Sequence, residues 1–255
     1  MKFRFPALRA AFLALALSVS ALGTAQAQDK AAAIDAAQRA GIENVVREYL
    51  LSHPEIVVEA IQAYREREQK AQEERTKQAL NAHKEALVKA EGAPFVGNPK
   101  GDVTVVEFFD YRCGYCKRVY PLVAQLLKED KNLRWVFKEF PILGPDSLTA
   151  SRAALAAWAL DPSKYMAFHS ELMKTSGALP EDRILRIAKD VGYDVDKLRT
   201  GMKDAAVDAQ INHNHQLAET FGIRGTPAFI VGDDLVPGAI DIDTLRELVA
   251  KARNK

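Results

Sequence analysis

Hydrophobic positions in this chain change spacing along its length, and each change marks an element. Val103-Thr104-Val105-Val106-Glu107-Phe108-Phe109-Asp110 is β-branched and aromatic, which predicts a buried strand. From Lys117 onward Val119, Leu122, Val123 and Leu126 recur at helical spacing. The run from Leu133 to Phe140 predicts a second strand, stopped by Pro141. A helical block follows, with Ser147 as a candidate cap and Leu148, Leu155 and Trp158 on the buried side. Tyr165, Phe168, His169 and Leu172 make another stripe. Ile184, Leu185, Ala188 and Val191 make a third, ended by Gly192. Val207, Ile211, Ala218 and Phe221 form a longer one closed by Gly222, and Ala228-Phe229-Ile230-Val231 predicts a strand turned by Gly232-Asp233-Asp234. Leu245, Leu248, Val249 and Ala252 complete a terminal helix. The order is strand, helix, strand, inserted helices, strand, helix.

Upstream the pattern differs. Ile42, Val45, Val46, Tyr49 and Leu50 form one apolar stripe, and Val57, Val58, Ile61 and Tyr64 a second, after a break at Ser52-His53-Pro54. Two short amphipathic helices alone are a weak folding unit, so these faces need a partner. Between Arg65 and Gln78 the sequence is almost wholly polar, which predicts a solvated helical linker holding the stripes away from the rest of the chain. Gly92-Ala93-Pro94 and Gly97-Asn98-Pro99-Lys100-Gly101 are turn clusters, and the domain boundary is placed there.

The first residues read as a secretory signal. Lys2, Arg4 and Arg9 give a basic start, Ala10 to Leu22 is apolar, and Ala25-Gln26-Ala27 is a small-x-small cleavage site. The expected organisation is a signal peptide over 1–27, a helical oligomerisation arm and linker over 28–91, and a catalytic domain over 92–255 with a helical insertion at about 145–221. The formal net charge is +1, and removing the signal leaves it slightly negative. Such a balance gives no general reason to expect nucleic-acid binding.

The chain has two cysteines, both in Cys113-Gly114-Tyr115-Cys116. One vicinal pair closes too small a ring to staple an exported fold, so turnover is its expected use. The motif lies between predicted strand and predicted helix, where unpaired N–H groups and the positive dipole end stabilise a thiolate at Cys113. At a pKa of 8.5 roughly 3% of a thiol is ionised at pH 7, and a pKa near 5 raises that about 30-fold. The accompanying loss of intrinsic nucleophilicity, about 30–60-fold, cancels the gain in attack rate. The benefit lies in leaving: an acidic Cys113 departs readily from a mixed disulfide. Cys116 is the expected resolving thiol. His213 and His215 point about 200° apart on a helix and cannot share one ion. His169 reads as a core residue, and neither a metal nor a cofactor is expected.

With these residues in place, the chain resembles a thioredoxin-fold thiol–disulfide oxidoreductase of the DsbA-like group, an α/β fold with an inserted helical domain. The resemblance rests on the C-x-x-C at a helix start, Pro121 five residues beyond it, Glu107 six residues before Cys113, and Gly225-Thr226-Pro227 before a strand. It implies a cis peptide at Pro227 facing the cysteines, a Thr226 backbone that pairs with extended substrate, and a buried Glu107 that manages the Cys116 proton. Arg112, Gly114 and Tyr115 are the remaining substrate-side candidates. The Cys-Gly-Tyr-Cys motif, Thr226 and the arm at 42–64 resemble the suppressor-of-copper-sensitivity C (ScsC) proteins and the oligomeric periplasmic disulfide isomerases. That resemblance implies a periplasmic disulfide isomerase acting on exported proteins with disulfides or thiols. It further implies self-association through residues 28–91, a trimer being one arrangement, and a membrane thiol reductase as electron donor. A dithiol oxidase and a copper-sequestering or chaperone protein are the alternatives; soft thiolates suit Cu(I).

Overall fold

The computed structural model describes residues 35–89 and 92–254, and the signal-peptide reading of 1–27 lies outside them. These residues fall into two compact units divided between Ile61 and Gln62.

In the first unit, α1 (Ala36–Ser52) opens with a reciprocal cap: the Asp35 carboxylate accepts from the Gln38 N–H, and the Gln38 amide oxygen accepts from the Asp35 N–H. The helix ends at His53, whose ring stacks on Tyr49 at 4.6 Å, and α2 (Glu55–Lys89) begins directly after Pro54. Ile42, Val45, Val46, Tyr49, Val57 and Val58 are all exposed. Gln38, Gly41, Ile42, Val45 and Val46 line a shallow, largely apolar depression on α1.

The second unit is built on a five-stranded mixed sheet in the order β1-β3-β2-β4-β5. Its strands are β1 (Phe95–Gly97), β2 (Val103–Phe109), β3 (Leu133–Glu139), β4 (Ala228–Val231) and β5 (Asp234–Pro237). Only β2 and β3 run parallel; β1 pairs antiparallel with β3, β4 with β2, and β5 with β4. Both central strands are buried along almost their whole length, which is why their sequences read as continuous apolar runs.

One face of the sheet carries α3 (Gly114–Glu129), the terminal helix α9 (Ile242–Arg253) and the helical insertion. The insertion contains α4 (Pro145–Leu160), α5 (Pro162–Lys174), α6 (Glu181–Val191), α7 (Val195–Gly201) and α8 (Ala205–Thr220). Helix α6 stops at Gly192 in the left-handed region, φ 95°, as its position after the last apolar residue predicts. On the opposite face, Leu80 and Leu87 of α2 are buried with Val106, Phe108, Val136 and Phe221. Each such leucine contributes about 2 kcal/mol of apolar burial.

Four sequence readings change here. The end of α2 covers the sheet, so the catalytic unit begins well before Gly92; Leu80 and Leu87, beyond the polar run at 65–78, form a stripe too sparse to read as a buried face. Strand β1 sits inside the turn-forming cluster, and β5 starts at an aspartate and ends at a proline, so neither carries a strand pattern. Helix α7 is too short to show a period. Ser147 does not cap α4: Gly144 occupies that place, and the Ser147 hydroxyl donates instead to Asp110 Oδ1 at 2.8 Å.

Candidate active site

Strand β2 ends at Phe109, and four residues later Cys113 caps α3 with extended backbone. The Cys113 N–H donates to the Asp110 carbonyl at 3.0 Å, and Cys113 Sγ accepts from the Cys116 N–H at 3.4 Å. The Cys113 thiol donates to the Thr226 carbonyl at 3.2 Å, across a separation of more than a hundred residues. The Thr226–Pro227 peptide is cis. The fold thus brings Cys113, Cys116, Thr226 and Pro227 together. Cys113 is 5% exposed and Cys116 fully enclosed, so only the first sulfur presents surface to a client.

The two thiols are free and electrostatically unlike. Cys113 is held down to about 5, first by the hydrogen bond from the Cys116 thiol, then by the Thr226 side chain and the N–H groups of Cys116 and Tyr115, against the opposing cost of burial. Burial pushes Cys116 up, and the charges it would meet on Cys113 and Glu107 push the same way. This is a division of labour: one sulfur is anionic at neutral pH and the other keeps its proton until something removes it. The helix end contributes through individual N–H groups, but the neighbouring thiol is the largest influence.

Glu107 is 2% exposed, and its carboxylate accepts from the Trp135 indole N–H at 3.0 Å. Burial raises it to about 8; the indole bond opposes the rise and the Cys113 charge adds to it. A carboxyl poised near neutral pH can take or return a proton. On the outer surface, Tyr115 is exposed with the Arg118 guanidinium 4.2 Å over its ring, and Arg112 Nη1 donates to the Leu143 carbonyl at 3.4 Å. Gly114 faces open space, with no atom within 4 Å of where a side chain would begin.

Asp110 was not singled out from sequence, yet it organises the site. It is fully buried; Oδ1 accepts from the Arg112 N–H and the Ser147 hydroxyl, and Oδ2 from the N–H groups of Ile142 and Leu143. One carboxylate therefore ties the loop before Cys113 to the chain entering α4. The available signal was an acid ending an apolar strand three residues before a cysteine. His169 is enclosed in α5, as its stripe predicts; Tyr111 Oη lies 2.8 Å from its Nδ1, and burial holds it down to about 3. The His215 ring packs against Phe140 at 4.8 Å. Among the described residues there is no cluster of three or more histidine, cysteine or acidic side chains arranged to hold a metal.

Residues 104–250 match the family model described as a DSBA-like thioredoxin domain. The chain belongs to this family. It is a thiol–disulfide oxidoreductase, and residues 38–71 match a second model, the copper resistance protein ScsC N-terminal domain. A thioredoxin-like oxidoreductase from Silicibacter pomeroyi DSS-3 is 46% identical, covers 67% of this chain and 98% of its own, and superposes with a TM-score of 0.65. A linker-deletion mutant of Proteus mirabilis ScsC is 30% identical over 87% of this chain and 98% of its own, with a TM-score of 0.67. A Salinispora arenicola protein named Na(+)/H(+) antiporter NhaA 1 is 30% identical over 158 residues, 61% of this chain; the chain spans 24% of that protein's length. No helix among the described residues is long and apolar enough to cross a membrane.

The low Cys113 value has a direct readout. Iodoacetamide alkylation of the reduced oxidoreductase, followed against pH, is expected to titrate with a midpoint about 5. A midpoint near that of free cysteine, about 8.5, contradicts the geometry described above.

Proposed function

We propose that this oxidoreductase is an exported disulfide isomerase that works as a homo-oligomer in the periplasm. The observation that carries the reading is the pairing of an exchange site with a row of exposed apolar side chains on α1 and the start of α2. A row of that size is uncommon on a monomer surface and fits a second copy of the same helices. The signal-like residues 1–27 and the match to ScsC support export.

In the proposed cycle the Cys113 thiolate attacks a client disulfide, forming a Cys113–client bond and releasing one client thiolate, which takes a proton from solvent. A different client thiolate then attacks the client sulfur of that bond. This forms a rearranged disulfide and returns Cys113 as its thiolate, with no net electron transfer. If no client thiol arrives, Cys116 gives its proton to Glu107 and attacks Cys113 Sγ. The client leaves reduced, and the Cys113–Cys116 disulfide holds the balance. Two electrons from a membrane thiol reductase reset it. Pro227 and Thr226 hold the client chain, with Arg112, Gly114 and Tyr115 at the rim.

Refolding of scrambled ribonuclease tests this. The full chain is expected to sediment as an oligomer and restore ribonuclease activity. Ile42→Glu with Val46→Glu is expected to sediment as a monomer, to restore activity at least about tenfold more slowly, and to retain exchange with glutathione disulfide. A wild-type monomer that oxidises fully reduced ribonuclease but leaves scrambled ribonuclease unchanged points to a dithiol oxidase instead. The copper-resistance description of the N-terminal match favours a second reading, Cu(I) held by the same two thiols. It gains if the physiological role survives loss of turnover.

A further inference from the structure

The surface around Cys113 carries positive charge that the exchange chemistry does not use. Arg112 directly precedes Cys113, Lys117 and Arg118 stand near the start of α3, and Arg183 near the start of α6. Lys117 Nζ donates to the Thr175 carbonyl, and Arg183 Nη1 to the carbonyls of Ser176 and Ala178 at 3.0 Å each. Arg118 lies over the Tyr115 ring, and Arg112 is tied to the Leu143 carbonyl. Burial holds the Lys117 ammonium down, and the charges of Arg183 and Arg112 push the same way, so these three stand close enough to repel one another. Among the described residues, no carboxylate forms an ion pair with any of the four cations.

The rest of the catalytic unit is arranged differently. Arg152 meets Asp208, Arg199 meets Glu181, Arg246 meets Glu129, and Arg253 meets both Asp102 and Asp130. The chain as a whole is close to neutral, at +1. Beside the cysteines the acids are engaged elsewhere. Glu107 is enclosed against Trp135, Asp110 is enclosed by its hydrogen bonds, and Asp146 Oδ2 accepts from the Leu179 N–H at 3.0 Å. The N-terminal end of α3 adds charge of the same sign as the cations. Beyond Thr226 the surface is mixed, with Arg224 and Lys77 standing among Glu73, Asp233 and Asp234. The unmatched charge therefore lies on the α3–α6 flank of the site.

Its form selects the ligand. Lys117, Arg183 and Arg112 are tied to different carbonyls, so the charge spreads over a surface instead of converging on one point. A polypeptide carrying several carboxylates suits that spread better than a single small anion. Each guanidinium keeps N–H groups free to hold a carboxylate. Exposed charge of one sign around a reactive atom speeds encounter with the opposite sign by about tenfold or more at low salt.

We propose that this rim is an electrostatic guide favouring disulfides flanked by acidic side chains, and that Lys117, Arg118 and Arg183 set the preference. The proposal rests on the exchange reaction at Cys113 but not on the isomerase assignment. The step is a single exchange: Cys113 forms a bond to the peptide sulfur, the peptide disulfide breaks, and its other sulfur leaves as a thiolate.

The test uses the full-length protein carrying Cys116→Ser and three peptides, each with one cysteine disulfide-bonded to 2-thiopyridine. The flanking residues are acidic, neutral or basic, and each rate is divided by that peptide's rate with 2-mercaptoethanol. At about 10 mM salt the acidic peptide is expected to react at least about tenfold faster than the basic one. At about 1 M salt the ratio is expected to fall to about twofold. Lys117→Gln with Arg118→Gln and Arg183→Gln is expected to give that same small ratio at low salt, with the neutral peptide within about twofold of the parent rate. Arg118→Glu alone, on an exposed side chain, is expected to lower the ratio about threefold, whereas Arg118→Lys keeps it. Equal rates for the three peptides, a preference indifferent to salt, or one unchanged in both the triple variant and Arg118→Glu overturns the proposal while leaving the exchange chemistry standing. A parent protein inert to the neutral peptide removes that chemistry, and the proposal with it.

Discussion

Cys113→Ser is expected to lower disulfide exchange by more than about 10³-fold, because the only sulfur with exposed surface in the motif is lost and an alcohol cannot replace a thiolate. Substitution at Cys116 has a different signature, and the choice of residue matters. Cys116→Ser keeps a hydroxyl that can donate to Cys113, so the first attack persists while the mixed disulfide accumulates. Cys116→Ala removes the donor that does most to hold Cys113 down, and the alkylation midpoint of Cys113 is expected to move upward. Non-reducing electrophoresis with a cysteine-containing client reads the trapped species, and the alkylation titration reads the shift. If Cys116→Ala leaves the midpoint unchanged, the backbone N–H groups alone hold the thiolate, and the partnership between the two sulfurs is wrong.

The parts of the fold visible in sequence are those whose burial leaves an unbroken signature. Strands β2 and β3 lie between two covered faces, so both read as apolar runs. Helices α5, α6 and α8 bury one stripe each and end at glycines or polar caps. What stayed hidden had no such signature. Strand β1 is three residues long, β5 is an edge element, and α7 is only two turns. The end of α2 was assigned to the arm and linker because two leucines seven positions apart, Leu80 and Leu87, are enough to dock a helix whose other faces stay polar.

The active site divides in the same way. The cysteines, Thr226 and Pro227 were accessible because their order along the chain is distinctive. Glu107 was accessible only through resemblance; on pattern alone it is one charged residue in an apolar run. Asp110 was invisible because its partners are backbone N–H groups at Ile142 and Leu143 and a hydroxyl at Ser147, all supplied by tertiary folding. Ser147 was noticed, but for a local capping role, where the structure uses it for a long-range bond.

Glu107→Gln is expected to make the reduced protein more stable and a slower catalyst, and the two effects have one cause. The carboxyl titrates near 8 in the folded state and near 4.3 when the chain is unfolded. The folded state therefore holds the proton more tightly, and stability falls as pH rises from about 4 to about 8. At pH 7 the penalty is on the order of 4 kcal/mol, at about 1.4 kcal/mol per unit. A glutamine oxygen can still accept from Trp135, so the substitution removes the charge without orphaning the indole. Urea unfolding of the variant is expected to show a gain of about 4–5 kcal/mol at pH 8, shrinking to nothing near pH 4. The same change removes the group placed to accept the Cys116 proton, so release from a mixed disulfide is expected to slow about 10²-fold. The first attack by Cys113, already ionised, changes little. Stopped-flow measurement of the two steps separates them. A variant that gains stability but releases client at the wild-type rate would show that Glu107 is a buried charge with no share in the proton transfer.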